Sequence, residues 1–385
     1  MPVSSPRAVL VSASAAQVAV SFVNFGLPAI GPELRREFEL SLAELGAVLT
    51  AGLFGTGLSL LAASVAVDRF GSRAAVAAGT IVSTGGLVAA GASGRELALA
   101  ASLVLFGIGS SVVTIAGTGA IFRAYPAERR GWALGVRQMA VPLGGTLGAV
   151  LVPALESAGG VPAVLYGAAG AVAITGAVFA ATTDAVRIPR TPRGIRAIVR
   201  SPGIARLLVV AALYIVVLQT VLVYAVPAAR DAGLSELAAG ATFFALQVTA
   251  GIARVAWGRV ADRGRGRRRV RTLVEVGVVA AVGSAVFAIA LRGGVGAVLP
   301  AAVLLGFGAL GWNALVYVSA GERVVPELAS RSVAVAATVV FGLSALATPP
   351  LGALAGYGGF TTLWLTTAAF ALAGAAVAST LARVP

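Results

Sequence analysis

The chain has 385 residues, of which 58% are apolar and only 11% charged, with a formal net charge of +14. It holds no His and no Cys, which excludes thiol chemistry, disulfides and His-type metal sites and leaves the redox compartment unread. All 29 basic residues are Arg, so a phosphate-binding Gly-x-x-x-x-Gly-Lys loop cannot form and the protein carries no ATPase of that type.

Apolar runs fill the sequence almost from end to end. A helix crossing the hydrocarbon of a bilayer needs about 20 predominantly apolar residues. In lipid the backbone must satisfy its own hydrogen bonds, so such runs are helices. In chain order they lie near 8–30, 43–66, 74–93, 97–121, 133–155, 162–183, 204–228, 237–260, 272–291, 295–319, 332–355 and 361–383. The first run is longer than the apolar core of a usual leader, and Pro28 to Pro32 offers no small-residue cleavage site, so it reads as a first span. The longest break, Asp184 to Gly203, falls between the sixth and seventh runs. The pattern predicts an all-α membrane protein of twelve transmembrane helices in two six-helix halves. Residues 1–183 form the N-terminal half, 184–203 a cytoplasmic linker and 204–385 the C-terminal half, with no room for a separate soluble domain.

The arginines give an orientation. Twenty-two fall in the breaks on the side of the N-terminus and five on the other (Arg35, Arg36, Arg95, Arg230 and Arg292), leaving Arg137 and Arg254 within runs. By the positive-inside rule both termini are cytoplasmic. The basic charge is thus a topology signal and a contact for anionic lipids, not a nucleic-acid surface. A multi-pass protein of the inner (cytoplasmic) membrane is expected.

The sequence repeats itself at an offset of 194 residues. After the second run stands Ser64-Val65-Ala66-Val67-Asp68-Arg69-Phe70-Gly71-Ser72-Arg73, and after the eighth Gly258-Arg259-Val260-Ala261-Asp262-Arg263-Gly264-Arg265-Gly266-Arg267. The same offset aligns Glu128-Arg129 with Glu322-Arg323, and Arg137 with Arg331. A parallel repeat of two six-span halves is a common transporter plan, with the substrate near the midplane between them.

The Asp-Arg-x-Gly-x-Arg element, echoed in the second half, resembles the signature loop of the major facilitator superfamily, with Ser64 where that family usually has Gly. The resemblance covers essentially the whole chain and implies alternating access without a cofactor. Asp68, Arg69, Arg73, Asp262 and Arg263 sit where the family carries a charge latch. A topology-fixing turn would use the same contacts, and the two readings stay open.

An ionisable group inside a span is costly and needs a reason. No carboxylate lies near the middle of any run, which leaves the coupling ion, a proton or another cation, without a candidate site. Arg254 lies eight residues before Asp262, about 12 Å into the membrane at 1.5 Å per residue. Gln247, Gly251, Arg254 and Gly258 share one helix face. A guanidinium there offers a fork of donors that suits a carboxylate; the alternative is an Arg paired to carbonyls inside the bundle. The run Gln247 to Gly258 is similar to span eight of organic-anion branches of the superfamily, the monocarboxylate, oxalate/formate and cyanate types. It departs from the first at Ala250, where an acid stands there, and from the second in lacking a basic residue within span eleven. These departures favour a monoanion over a dianion.

Arg137 reads as a snorkelling, lipid-facing or latch residue, while its neighbour Gln138 can reach a cavity. The segment from Gly135 to Gly145 resembles the start of span five in the cyanate-like group. In span one Ser14, Gln17, Ser21 and Asn24 fall on one face; in span four Ser111, Thr114 and Thr118 do. Span seven carries Tyr214, Gln219 and Tyr224, and span ten Asn313 and Tyr317 beside Trp312. In the superfamily spans one, four, seven and ten line the pathway. The candidate substrate residues are therefore Arg254, Gln247, Gln17, Asn24, Gln138, Tyr214, Asn313 and Tyr317, each weighed against plain interhelical hydrogen bonding.

Three functions fit this reading. The first is a secondary active or facilitated carrier, acting as a monomer, that takes up a small organic anion, with a proton or cation as coupling partner. The second is a proton-coupled multidrug or lipophile exporter. Against it, Leu103 stands where the exporters' span-four signature has Arg, four residues before Gly107. The third, a receptor or scaffold that transports nothing, lacks any added domain. No nucleophile–base pair suggests an enzyme.

Overall fold

The computed structural model describes residues 5–40, 42–184, 195–263 and 265–383, and every element among them is helical. In chain order these are α1 Pro6–Gly26, α2 Gly31–Glu37, α3 Leu42–Phe70, α4 Ser72–Gly91, α5 Glu96–Ala124, α6 Arg130–Thr182, α7 Ile195–Val199, α8 Ile204–Asp231, α9 Glu236–Asp262, α10 Arg265–Ala290, α11 Val295–Ala309, α12 Asn313–Glu322 and α13 Ala329–Thr380. Most of the expected linker, residues 185–194, lies outside the described residues, Arg187, Arg190 and Arg193 with it.

Local chemistry sets the helix ends. Ser5 accepts the Ala8 N–H on its hydroxyl at 3.2 Å and Pro6 follows at the first helical position, a start signal on both counts. Ser235 caps α9 in the same way through the Ala238 N–H. In the signature loop Gly71 takes φ +84°, which a side chain rarely tolerates, and lets α3 turn directly into α4.

Among the described residues, eleven helical stretches are long and apolar enough to cross a membrane. The expected run 133–155 is helical too, inside the 53-residue α6, but is not among the eleven. That helix carries Pro142, Pro153 and Pro162 and leaves helical geometry at Gly159 and Gly160, between the expected fifth and sixth runs. Gly359, at φ +71°, interrupts α13 between the last two runs. The first run passes from α1 into a 3-10 turn at Leu27–Ile30, and the tenth is broken by non-helical residues. α11 stops at Ala309, Leu310 to Trp312 are non-helical, and α12 resumes at Asn313.

The chain divides into two compact units. The first comprises Met1–Pro126, Ala140–Pro192 and Val333–Thr338; the second comprises Ala127–Met139, Arg193–Ser332 and Val339–Pro385. The start of α6 therefore belongs with α8 to α12, while the rest of α6 belongs with α1 to α5.

Within the first unit α5 is the central element, packed on α3, α4 and α1. Lipid supplies no hydrophobic drive between helices, so close packing of small residues does this work. A β-carbon on Gly107 would run into the Gly52 carbonyl, and one on Gly55 into the Val104 carbonyl. At this seam the Thr56 hydroxyl lies 2.9 Å from the Gly52 carbonyl and 3.1 Å from that of Gly107. Gly26 and Gly148 bring α1 against α6 in the same manner.

Within the second unit α11 packs on both α10 and α9. Large apolar side chains such as Phe54, Ile81 and Ile174 in the first unit, and Ile252 and Ile289 in the second, stay exposed, as a surface facing lipid requires.

Candidate functional site

The second unit gathers most of the candidate residues, and it does so around the break in the tenth run. Ending a helix in mid-run leaves carbonyls without intrahelical donors. Two side chains of α9, one turn apart, supply them. Trp257 donates its indole Nε1–H to the Phe307 carbonyl at 2.8 Å, and Arg254 donates its Nε–H to the Leu310 carbonyl at 3.0 Å. A cation at a helix C-terminus is also favoured by the backbone dipoles. Arg254 then reaches α6, where its Nη1 donates to the Gln138 carbonyl at 2.6 Å.

Arg254 is 7% exposed, buried among the helices of its unit. Two of its N–H groups are held by backbone carbonyls. No acidic side chain among the described residues pairs with it, and its Nη2 has no protein partner among them.

Around Arg254 the placement of the other candidates differs. The Gln138 side chain is buried without a hydrogen bond among the described residues, directly beside the carbonyl that Arg254 uses. Asn313 opens α12 three residues after Leu310, and its Oδ1 is buried without a partner. Tyr317 follows one turn later, buried and within electrostatic reach of both Arg137 and Arg254. Gln247 is half-buried two turns before Arg254.

Two side chains stand differently from the simplest reading of their spans. Tyr214 is engaged in packing. Its hydroxyl donates to the Leu273 carbonyl at 2.6 Å, its ring centre lies 5.9 Å from that of Trp312 at a tilt of 60°, and it fills the space left by Gly277 and Gly374. Arg137 does not snorkel to lipid: it is 1% exposed, among the largest fully buried side chains of the chain. A different face of α6, the one with Gly131 and Gly135, lies against the backbone of Gly258 and Arg254.

Gln17 and Asn24 belong to the first unit. Gln17 lies in a small polar cluster, 3.4 Å from the Ser21 hydroxyl and 3.5 Å from that of Thr114, which ties the stripes of α1 and α5 together. Asn24 is half-buried with its Oδ1 against Gly52 and the Phe106 ring beside it.

The charged loop residues also resolve individually. Asp262, at the end of α9, accepts the Gly131 N–H at 2.9 Å on Oδ1 and the Trp132 N–H at 2.7 Å on Oδ2, so it caps the first turn of α6. Arg269, on α10, pairs with Asp262 at 3.2 Å, pairs with Glu322 and donates to the Ala127 carbonyl at 2.6 Å. Arg130 lies 3.8 Å from the same Glu322. Arg263 is exposed and forms no ion pair among the described residues, so the cation of this cluster is Arg269. Outside the spans, burial lowers the pKa of Arg130 and Arg323 from the ordinary value.

In the first unit Asp68 is 5% exposed, while Arg69 is exposed, its guanidinium 5.2 Å from the Phe70 ring centre. Arg73 donates to the Thr183 carbonyl, where it caps the end of α6. Arg123 grips Asp184 with Nε and Nη2, at 2.9 and 3.0 Å, and donates to the Ser72 hydroxyl at 2.6 Å. Neither Arg123 nor Arg269 was singled out from sequence; each stood among arginines read as topology signals.

A family model described as Major Facilitator Superfamily matches residues 13–349. An uncharacterized MFS-type transporter, in two strains of Mycobacterium tuberculosis, is 27% identical over 172 residues, 45% of this chain and 38% of that one. The match thus spans well under half the length of these curated relatives. Among solved structures, the human organic anion transporter MFSD10 (TETRAN) is similar with a TM-score of 0.80 at 16% identity, over 98% of this chain and 100% of that one. A bacterial homologue of the iron transporter ferroportin gives 0.78 at 16% identity, over 100% of both chains. The E. coli fucose:proton symporter FucP gives 0.77 at 14% identity, over 97% of both. At such identities the likeness is one of fold.

Proposed function

This chain belongs to the Major Facilitator Superfamily, and we propose that within it the protein carries a small organic anion of carboxylate type across the cytoplasmic membrane. Arg254 is the group that holds the anion. The observation that supports this is a guanidinium buried far from either end of α9, with two N–H groups fixed by carbonyls and Nη2 left without a protein partner among the described residues. Carbonyl bonds leave the charge itself uncompensated, and an anion compensates it. Gln138, Asn313 and Tyr317 supply further donors from α6 and α12, and Gln247 adds to the polar groups of this unit; Gln17 and Asn24 are the polar candidates of the first unit.

The halves 1–183 and 204–385 alternate access, with both termini cytoplasmic. Asp262, Arg269 and Glu322 act as a latch on the start of α6. Asp68, Arg69 and Arg73 are the corresponding elements of the first half. The carrier is a monomer that works with a coupling proton or cation.

The same hydrogen bonds favour a second reading. An Arg254 that serves only to close the end of α11, together with Trp257, fits an exporter of lipophiles, in which the cation is structural. Thermal stability of the purified protein against monoanions, dianions, neutral solutes and lipophilic cations separates the two. Stabilisation by a small carboxylate that vanishes in Arg254→Gln is the expected result. Stabilisation by lipophilic cations, indifferent to Arg254→Lys and Arg254→Gln, overturns the first reading and supports the second.

A further inference from the structure

Arg254 donates to two carbonyls, and each lacks a helical donor for a reason set in the backbone. The Leu310 carbonyl stands where α11 has ended, and no backbone N–H among the described residues donates to it. The Gln138 carbonyl lies inside α6, where the N–H four residues on would normally serve it. That residue is Pro142, which has no N–H to give. Both Gln138 and Pro142 are buried. Arg254 Nη1, at 2.6 Å, therefore replaces the donor that the proline removes, as a neighbouring helix often does in a membrane span.

The packing of α6 changes at the same place. Residues up to Met139 belong with α8 to α12, and those from Ala140 belong with α1 to α5. Before the proline, Gly131 and Gly135 lie against the backbone of Gly258 and Arg254, and Asp262 takes the N–H groups of Gly131 and Trp132. Arg254 is the last of these fixings, one turn before Pro142.

A guanidinium offers a carboxylate two edges, Nε with Nη2 and Nη1 with Nη2. Here each edge shares one nitrogen with a carbonyl. A carboxylate held by two nitrogens therefore competes with Leu310 or with Gln138, and as a charged acceptor it makes the stronger bond. The two carbonyls differ in what they can do next. The backbone after Leu310 is non-helical and offers no helical donor. Gln138 can turn to the Val141 N–H when one turn of α6 tightens to 3-10 geometry, a usual adjustment beside a proline in a spanning helix. The exchange that costs less is at Gln138.

We infer that Pro142 and Arg254 form a clasp that the anion releases: Nη1 holds the carbonyl that Pro142 leaves without a donor, and an anion on the Nη1–Nη2 edge takes that nitrogen over and frees the start of α6 to bend at Pro142. This rests on the reading of Arg254 as the anion-binding group. Pro142 is a positioning residue in this scheme. It acts by setting what Arg254 Nη1 bonds to before the anion arrives.

The test uses the full-length protein in nanodiscs, with acetate, lactate and benzoate as probes. Two readouts are taken: equilibrium binding, and maleimide labelling of a single Cys placed at Ala133, a fully buried position at the start of α6 in a chain with no Cys of its own. A saturating carboxylate should speed labelling of Ala133→Cys several-fold. Pro142→Ala and Pro142→Gly each give the Gln138 carbonyl a backbone N–H. Each should bind the same carboxylate about fivefold more tightly, the fold equivalent of one typical hydrogen bond, and labelling should no longer respond to it. The pair guards against a folding defect and separates two causes. Ala stiffens the helix and Gly keeps it pliable, so only the restored N–H is common to both. Binding by the wild type with unchanged labelling overturns the clasp and leaves Arg254 as the anion group. So do Pro142 variants that bind as the wild type does, or a gain in the Ala variant alone. Failure of the wild type to bind any of the three probes, or full binding by Arg254→Gln, overturns the anion reading itself.

Discussion

Asp262 Oδ1 accepts the Gly131 N–H at 2.9 Å, which seats the acidic end of α9 on the N-terminus of α6. An ionised carboxylate suits that place twice over, as an acceptor for orphan N–H groups and as a charge facing the positive end of the helix. Asp262→Asn keeps the shape but turns an NH2 group toward one of the two donors. It should cost about 1.5–3 kcal/mol, the usual size of a hydrogen bond to a charged group, and free the start of α6. Because the chain has no Cys, a single engineered thiol reports this cleanly. A Cys at Ala133, which is fully buried here, should react with a maleimide several times faster in the Asn variant. Unchanged labelling would show that Asp262 does not hold α6 in place.

Arg269 and Arg263 should behave very differently. Arg269 is 3% exposed and joins Asp262, Glu322 and the Ala127 carbonyl, whereas Arg263 is exposed. Removing one partner of a buried pair leaves an uncompensated charge and costs about 3–5 kcal/mol. Exposed substitutions usually stay within about 0.5 kcal/mol. Arg269→Gln should therefore lower the thermal midpoint in nanodiscs sharply, and Arg263→Gln should leave it in place. Equal effects would mean that the cluster contributes nothing beyond surface charge.

What the sequence disclosed and what it hid follow from the kind of signal involved. Hydrophobic runs are read directly because lipid imposes them, and among the described residues eleven helical stretches are long and apolar enough to cross a membrane. Asp262 was legible because a repeat marks it. Arg269 was not, since it stands in an arginine-rich run where the charges look alike, and only packing shows that it is buried while Arg267 and Arg271 are exposed. Arg254 was legible as a buried cation, but its partners were not. They are backbone carbonyls at a helix break, and the stretch Ala309-Leu310-Gly311-Trp312-Asn313 carries no Pro to announce one. The packing of Tyr214 was not legible because a tyrosine on span seven looks the same whether it faces a cavity or fills the gap left by Gly277 and Gly374.

The packing of Tyr214 has its own consequence. Tyr214→Phe removes the donor to the Leu273 carbonyl and the hydroxyl contact with Gly277, while the ring keeps its place against Trp312. A loss of about 1 kcal/mol in stability is expected from that one hydrogen bond. Stabilisation by an anionic ligand should be unchanged in size. A variant of normal stability with lost ligand response would place Tyr214 in the substrate site.

Gly131 provides the steric counterpart of Asp262. A β-carbon there would lie 2.5 Å from Asp262 Oδ1 and 2.7 Å from the Gly258 carbonyl oxygen, and neither the carboxylate held by Arg269 nor the backbone can give way without cost. Gly131→Ala should push α6 off α9 and destabilise by about 1–3 kcal/mol, the range for overpacking. The control is Gly85→Ala in α4, where nothing lies within 4 Å and a helical Ala for Gly should gain about 0.5–1 kcal/mol. Since Gly131→Ala and Asp262→Asn break the same contact, their effects on the thermal midpoint should fall well short of additive. Full additivity would place the cost of the Ala variant elsewhere than in the Asp262 cap.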